Sequence, residues 1–508
     1  MGRVKSAEKN ILFGYAGQLA TALMSFILRT VFIHNLSDTL LGINGTYSNV
    51  LSILSMAELG IGTALNFSLY GPVARKDTPK IKSYMQMYRR AYTVIAAVVA
   101  VAGLALVPFL PRLVKNPGVS DGELILYYLI FLFNTVSTYF ISYKYSLCNA
   151  EQRNYIQTNI NTVTKIITIL LQIGMILLTK SFLLYLLTDA AVQLLQKFFV
   201  SWYLNRRYPV LTQKDVTPLS KEESAEVWNK TRALVLHKVG DVARLQTDSL
   251  IISSMIAVAV AGRVDNYLMV INSAINFVNI IFNSVISGFG NLIATESRQK
   301  QYSIFRVYRF AASWIYGFAV TGFYILLTPL IRLWLGDAWV LPGGVVGLIL
   351  TDLYFKGDRI VLSNFKTAAG VFEQDKYLAM IQGIVNLVVS IWLVKKIGLA
   401  GVYVGTVVSG LIANVTKPFI IYRVCFERSC SSYFLETARY TGAVAAVCGV
   451  CSMLSKIVIA NLTFGSFILM ALLITVIFNG TFILLFSRSE EFMYVWSLAG
   501  RKLGIRKK

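Results

Sequence analysis

Long apolar runs alternate along the chain with short stretches rich in charge, Pro or Gly. Fourteen runs have the length and pattern of membrane-crossing helices: roughly 10–33, 42–70, 91–111, 123–143, 155–178, 182–204, 233–257, 265–292, 308–331, 344–365, 377–395, 398–422, 437–459 and 464–486. A helix needs about 20 apolar residues to cross the hydrocarbon core. The pattern therefore predicts an all-α polytopic membrane protein with about 14 transmembrane helices. The basic start MGRVKSAEKN precedes the first run with no convincing cleavage site, so that run reads as an uncleaved helix.

The connections between runs differ in charge according to side. One set holds Arg3, Lys5, Lys9, Arg75, Lys76, Lys80, Lys82, Arg89, Arg90, Arg206, Arg207, Lys214, Lys221, Lys230, Arg232 and the tail RKLGIRKK. The seven alternate connections hold only Arg112, Lys115, Lys180, Arg263, Arg332, Lys395, Lys396 and Lys456. Lys and Arg collect on the cytoplasmic side, so both termini are predicted cytoplasmic.

Composition narrows the class. Of 508 residues 56% are hydrophobic and only 14% charged, against about a quarter charged in soluble domains. Soluble enzymes, disordered chains and disulfide scaffolds are excluded. The net charge of +23 follows in part from the basic cytoplasmic loops, so it does not by itself indicate nucleic acid. Cys448 and Cys451 form a C-x-x-C inside an apolar run, where helix packing explains them better than redox chemistry. His34 and His237 are too few for a metal cluster, and no phosphate-binding glycine loop is present. No cofactor and no metal are expected.

The chain also repeats itself at an offset of 220–222 residues. Tyr88-Arg89 recurs as Tyr308-Arg309, and Leu110-x-Arg112-Leu113 as Leu330-x-Arg332-Leu333. Lys144 followed by Glu151-Gln152-x-x-Tyr155 recurs as Lys366 followed by Glu373-Gln374-x-x-Tyr377, and Lys197-x-Phe199 as Lys417-x-Phe419. An offset of six helices keeps both halves in one orientation, related by an axis along the membrane normal. This predicts two pseudo-symmetric six-helix lobes, 1–205 and 233–425, around a central cavity. A cytoplasmic linker, 206–232, joins them, and its Ser220-x-x-Glu223 reads as a capping box opening a short helix. Two additional transmembrane helices (426–487) and a basic cytoplasmic tail (488–508) follow. Paired lobes favour alternating access over a channel.

Polar residues inside the runs fall on single helix faces. His237, Asp241, Arg244 and Asp248 follow helical spacing, as do Asp352, Lys356, Arg359, Ser363 and Lys366. Asn272, Asn276, Asn279, Asn283 and Ser287 form an amide ladder. Asn161, Lys165, Thr168 and Gln172 share a face, and so do Gln18, Ser25 and Arg29. Such residues are costly in lipid and describe a hydrated cavity. Same-helix ion pairs, such as Asp352 with Lys356, and amide bonds between helices are the competing structural explanation. The surplus of cations (Arg29, Lys165, Arg244, Lys356, Arg359, Lys366) suits an anionic ligand, because guanidinium groups match phosphate oxygens. Lys144 and Lys366 near helix ends can also snorkel. The polar lining expected is Gln18, Asn161, Asn272, Asn276, Asn279 and Asn283. Glu58, Asp189, Asp241, Asp248 and Asp352 are candidates for binding a coupling H+ or Na+, with Glu58 the most isolated in sequence.

The stretch Leu41–Asp77 (LGINGTYSNVLSILSMAELGIGTALNFSLYGPVARKD) resembles the second helix and basic elbow of Wzx-type polysaccharide flippases, which belong to the multidrug/oligosaccharidyl-lipid/polysaccharide exporter superfamily. Phe365–Tyr377 (FKTAAGVFEQDKY) and Gly405–Phe426 (GTVVSGLIANVTKPFIIYRVCF) are similar to its later segments. The resemblance runs over nearly the whole chain as a pattern of apolar and small residues. It implies a flippase, not an enzyme, in the bacterial plasma (inner) membrane. Its substrate would be an undecaprenyl-pyrophosphate-linked oligosaccharide, moved to the outer leaflet for capsule or surface polysaccharide assembly. The partners implied are that glycan, membrane lipid, a polysaccharide polymerase and glycosyltransferases. The family has no fixed motif at the cationic positions. A lipid II flippase shares the pyrophosphate logic, whereas a multidrug antiporter would want an acidic or aromatic pocket. The short outer connections give a membrane glycosyltransferase or polymerase no room. The tail EEFMYVWSLAGRKLGIRKK has the pattern of a basic amphipathic helix lying on the membrane, and positive-inside anchoring explains it equally well.

Overall fold

The structure, a computed structural model, describes residues 2–58, 61–151, 153–213, 216–225, 227–228, 247–371, 373–375 and 377–502. Among these residues the chain is helical with no β-strand. In chain order the helices are α1 Gly2–Asn35, α2 Asp38–Leu54, α3 Ile61–Arg75, α4 Thr78–Leu106, α5 Asp121–Ser142, α6 Tyr145–Ala150, α7 Tyr155–Thr179 and α8 Phe182–Arg207. Then come α9 Thr247–Ile256, α10 Val258–Ser284, α11 Ile286–Thr295, α12 Arg298–Leu335, α13 Gly343–Asp358, α14 Ile360–Ala369, α15 Leu378–Ile397 and α16 Leu399–Ile421. The last three are α17 Ser431–Val458, α18 Phe464–Phe486 and α19 Glu490–Lys502.

Eleven helices among the described residues are long and apolar enough to cross a membrane. Large apolar side chains such as Leu178, Ile457 and Leu484 are almost fully exposed, a surface that suits lipid rather than water. The chain is a multi-pass membrane protein. Four of the fourteen predicted runs break within the described residues, among them 91–111 at the 3-10 turn Val107–Phe109 and 265–292 at Val285. The run 42–70 is interrupted by a 3-10 turn, Ser55–Glu58, between α2 and α3. The run 344–365 breaks at Arg359 (φ −94°, ψ 0°) between α13 and α14. Most of 233–257 lies outside the described residues.

The chain divides into two compact units, Met1–Gly262 and Arg263–Lys508. In the first, helices are joined by polar bonds across apolar faces: Tyr47 Oη donates to the Leu124 carbonyl (3.0 Å) and Tyr128 Oη to that of Gly103 (3.1 Å). Residues 247–262 pack into this unit, where the Lys115 amide bonds the Ser253 carbonyl (2.9 Å) and the Val258 amide returns to the Lys115 carbonyl (3.2 Å). After α8 the linker folds back on the start of α4. Ser83 Oγ donates to the Thr217 carbonyl (2.5 Å), and Lys80 pairs with Glu223. That pairing holds the half-buried Glu223 carboxyl below its usual range. Ser220 and Glu223 exchange backbone and side-chain bonds (3.1 and 3.3 Å), forming the capping box of the short helix.

The second unit shows the sequence logic of membrane packing most clearly in α15 and α16. Gly401 and Gly405 lie one turn apart on α16. A Cβ on Gly401 would sit 2.4 Å from the Leu393 carbonyl carbon, and one on Gly405 2.8 Å from the Ser390 nitrogen. Only glycine allows the two backbones to approach this closely. The facing residues of α15, also at helical spacing, bond across the seam. Gln382 reaches the Ser409 carbonyl (2.7 Å), Asn386 reaches Thr406 Oγ1 (3.0 Å) and Ser390 reaches the Val402 carbonyl (3.0 Å). Helices α17 and α18 pack on α12 through a core containing Val444, Val447, Met470, Ile474 and Phe478. The tail helix α19 closes a smaller cluster, with Phe492 against Phe310 and Tyr440.

Candidate functional site, a cationic cluster at membrane depth

In the first unit, polar residues predicted on separate helices come together. Asp189 on α8 accepts a hydrogen bond from Asn134 on α5 (3.2 Å) and lies within electrostatic reach of Lys165 on α7 and of Lys197. Tyr185, one turn before Asp189, interacts electrostatically with both Asp189 and Arg29 of α1. Lys197 is buried and donates to Ser137 Oγ (2.7 Å) and the Asn134 carbonyl (3.0 Å). Gln196 donates to Asn161 (2.8 Å). Lys165 and Lys197 thus flank one carboxylate, and Arg29 reaches the same group of residues through Tyr185, on helices that otherwise show apolar surface. A local excess of positive charge at that depth attracts an anion, because little water screens it. Gln18 lies half-buried on α1, and Lys165 and Asn161 are exposed.

The second unit treats its predicted cations differently. Lys356 pairs with Asp352 along its own helix (2.6 Å). The Lys366 ammonium is buried against both oxygens of Asp375 (2.6 and 2.5 Å). Arg359 is buried and donates to Asn414 Oδ1 (2.6 Å) and the Gly410 carbonyl (3.2 Å) of α16. These contacts hold helices together and neutralise or absorb the charge. The asparagine ladder of α10 is exposed at Asn272, Asn276 and Asn283, while Asn279 accepts from Tyr316 Oη (2.6 Å). Among the acids, Glu58 ends the 3-10 turn that interrupts the second run and accepts from Tyr92 Oη (3.0 Å). Asp248 is half-buried at the start of α9. His237, Asp241 and Arg244 lie outside the described residues.

The sequence pattern did not reveal the deepest ionic network. Arg309 is 1% exposed, pairs with Glu436 (2.8 Å) and bonds the Tyr433 carbonyl (2.7 Å) and Thr437. Its guanidinium lies 3.5 Å from the centre of the Tyr433 ring. Asp358 stands 3.9 Å away and accepts from Tyr433 Oη (2.8 Å). Arg306 joins Glu436 (3.1 Å) to Glu491 of the tail helix (2.5 Å). The only sequence signal for it was the recurrence of Tyr88-Arg89 as Tyr308-Arg309. Lys197 likewise appeared only as a repeated residue.

No family model and no curated protein sequence matches the chain. Solved structures do. The lipid II flippase MurJ in an inward closed conformation superposes with a TM-score of 0.69 at 13% identity, covering 94% of this chain and all of that one. An inward-facing multidrug resistance MATE family transporter of the MOP superfamily gives 0.60 at 14% identity, over 85% of this chain and 99% of that one. A Vibrio cholerae MATE transporter gives 0.55 at 15% identity with the same coverage. The fold is that of the MurJ and MATE polytopic transporters.

Proposed function

We propose that the chain is an alternating-access flippase that moves an undecaprenyl-pyrophosphate-linked oligosaccharide unit from the cytoplasmic to the outer leaflet of the bacterial plasma membrane, for assembly of capsule or surface polysaccharide. The observation that carries the reading is the group of three cations around Tyr185 and Asp189, with Lys165 and Lys197 acting on Asp189 and Arg29 on Tyr185. A pyrophosphate is a dense anion that such a cluster binds through charge-assisted hydrogen bonds, while the lipid tail stays in the bilayer. The exposed amides Asn272, Asn276 and Asn283 suit sugar hydroxyls. Two repeated halves, on a fold shared with transporters, are the rocking lobes that alternating access needs. Rocking exposes the substrate site to one leaflet at a time, and Glu58, Asp248 and Asp352 are candidates among the described residues for coupling it to H+ or Na+.

A lipid II flippase is the second reading, supported by the likeness to a structure of that name. A multidrug antiporter fits less well, because the cluster is cationic. The test is to resolve lipid-linked glycans by leaflet in cells with and without the protein, using an enzyme added from outside. Glycan trapped on the cytoplasmic side without the protein supports the flippase, and the trapped glycan decides between repeat unit and lipid II. No trapping, with new sensitivity to cationic drugs, transfers the assignment to the antiporter.

A further inference from the structure

A cavity of about 770 Å3 lies in the first unit between α4, α5 and α8, with linker residues such as Leu211 and Gln213 completing its wall. It is separate from the cluster of Arg29, Lys165 and Asp189. Its charged lining residues are Lys82, Arg89 and Lys144, and no described Asp or Glu lines it. The Lys144 residue is 6% exposed. Its ammonium is held by neutral acceptors only, Ser201 Oγ (2.7 Å) and Asn205 Oδ1 (3.0 Å). Burial pushes that ammonium below the ordinary lysine range, and the nearby Arg89 guanidinium pushes it further. A buried, uncompensated cation beside two others is costly without a counter-charge.

The internal repeat shows what this cavity lacks. Arg89 recurs as Arg309 and Lys144 as Lys366, and in the second unit both cations meet carboxylates. Arg309 pairs with Glu436, with Asp358 at 3.9 Å, and Lys366 pairs with Asp375. None of these acids has a counterpart in the first half. At the same offset Asp375 falls on Arg153 and Asp358 on Val136. Glu436 belongs to α17, one of the two added helices that the first half does not possess. We propose that the cavity lined by Lys82, Arg89 and Lys144 binds a phosphate group, which supplies from outside the negative charge that the second unit carries in Asp358, Asp375 and Glu436.

The surroundings favour the phosphate of an anionic lipid headgroup. Phe140 in the cavity wall is 51% exposed, and Val94 and Val98 farther along α4 are exposed too, so acyl chains have an apolar surface to follow. Basic pockets between helices at the cytoplasmic side recognise such headgroups, and Arg89 and Lys82 lie at the end of α4 predicted to face the cytoplasm. Free phosphate offers the same chemistry without the chains.

The experiment is calorimetric titration of the full chain in neutral detergent with dihexanoyl phosphatidic acid, dihexanoyl phosphatidylcholine and inorganic phosphate. Phosphatidic acid should bind and phosphatidylcholine should not. The double variant Lys82→Gln/Arg89→Gln should weaken binding at least tenfold. Neither side chain bonds another described residue, so the fold should survive. Arg153→Asp removes no lining cation but restores the acid found in the second half, and should also weaken binding. Inorganic phosphate binding as tightly as phosphatidic acid would support the site and identify its ligand as a free anion. No binding of either phosphate compound, or equal binding by the double variant, would overturn the proposal.

Discussion

The two units carry the same repeated cations and use them in opposite ways. In the second, Arg309 and Lys366 are buried in ion pairs with Glu436 and Asp375, and Lys356 is paired with Asp352. In the first, Lys144 and Lys197 are buried on neutral oxygens, and Arg89 faces a cavity. One equivalence is preserved: Lys197 donates to Ser137 Oγ on α5 (2.7 Å), and its counterpart Lys417 donates to Ser363 Oγ on α14 (3.1 Å). Each lysine thus has a serine partner, while α17 and Asp375, which stands at the repeat position of Arg153, change where charge is neutralised. Repeated cations in the second unit are neutralised by carboxylates at Arg309 and Lys366, whereas Lys144 in the first rests on neutral oxygens.

Substitutions that read stability separate the two uses. The largest effect belongs to Arg309→Ala, which leaves Asp358 without its cation and Glu436 with Arg306 alone in a buried setting. Breaking such a network costs about 3–5 kcal/mol, so thermal unfolding in detergent should show a severely destabilised protein. Arg89→Ala, at the repeated position, should unfold like the parent. Next comes the pair Lys366→Met and Lys144→Met. The first strands a buried carboxylate and should cost about 3–5 kcal/mol. The second leaves only neutral acceptors unsatisfied and should cost about 1–3 kcal/mol. Equal losses at the two positions would break the comparison. The smallest effect is expected at the linker, where Lys80→Ala removes an exposed pair with Glu223 and should leave the unfolding temperature unchanged within error.

Transport variants sharpen the comparison further. Glu58→Gln keeps a partner for Tyr92 Oη but cannot release a proton. If Glu58 is the coupling group, transport by this variant should persist down the substrate gradient and lose its response to an ion gradient. A variant that still follows the ion gradient removes Glu58 from the coupling candidates.

Helical periodicity and the charge of the connections made the fold class and most of the helices legible in the sequence, because lipid imposes length and polarity on every crossing segment. Breaks at Glu58 and Arg359 were not legible, since the polar residues there, Glu58 in one run and Lys356 and Arg359 in the other, fit one face of an unbroken helix equally well. Within the site, Asp352 and Lys356 could be paired from their spacing. The partners of Lys366 and Arg309 could not. Asp375 lies beyond the end of α14, and Glu436 is 127 residues from Arg309 on a helix outside the repeat. Spacing along one helix reveals a polar face but not what another helix brings to it. For that reason spacing alone places Lys366 among the surplus cations, whereas the cluster on Asp189 takes several helices together.

The most direct test of the central claim uses cells in which the only copy of the protein carries Arg29→Gln and Lys165→Gln. The measurement is the amount of lipid-linked oligosaccharide in each leaflet, with the variant confirmed at parental level in the membrane. If these cations hold the pyrophosphate, the glycan should accumulate on the cytoplasmic side as it does in cells lacking the protein. Parental leaflet distribution in the double variant would contradict the account.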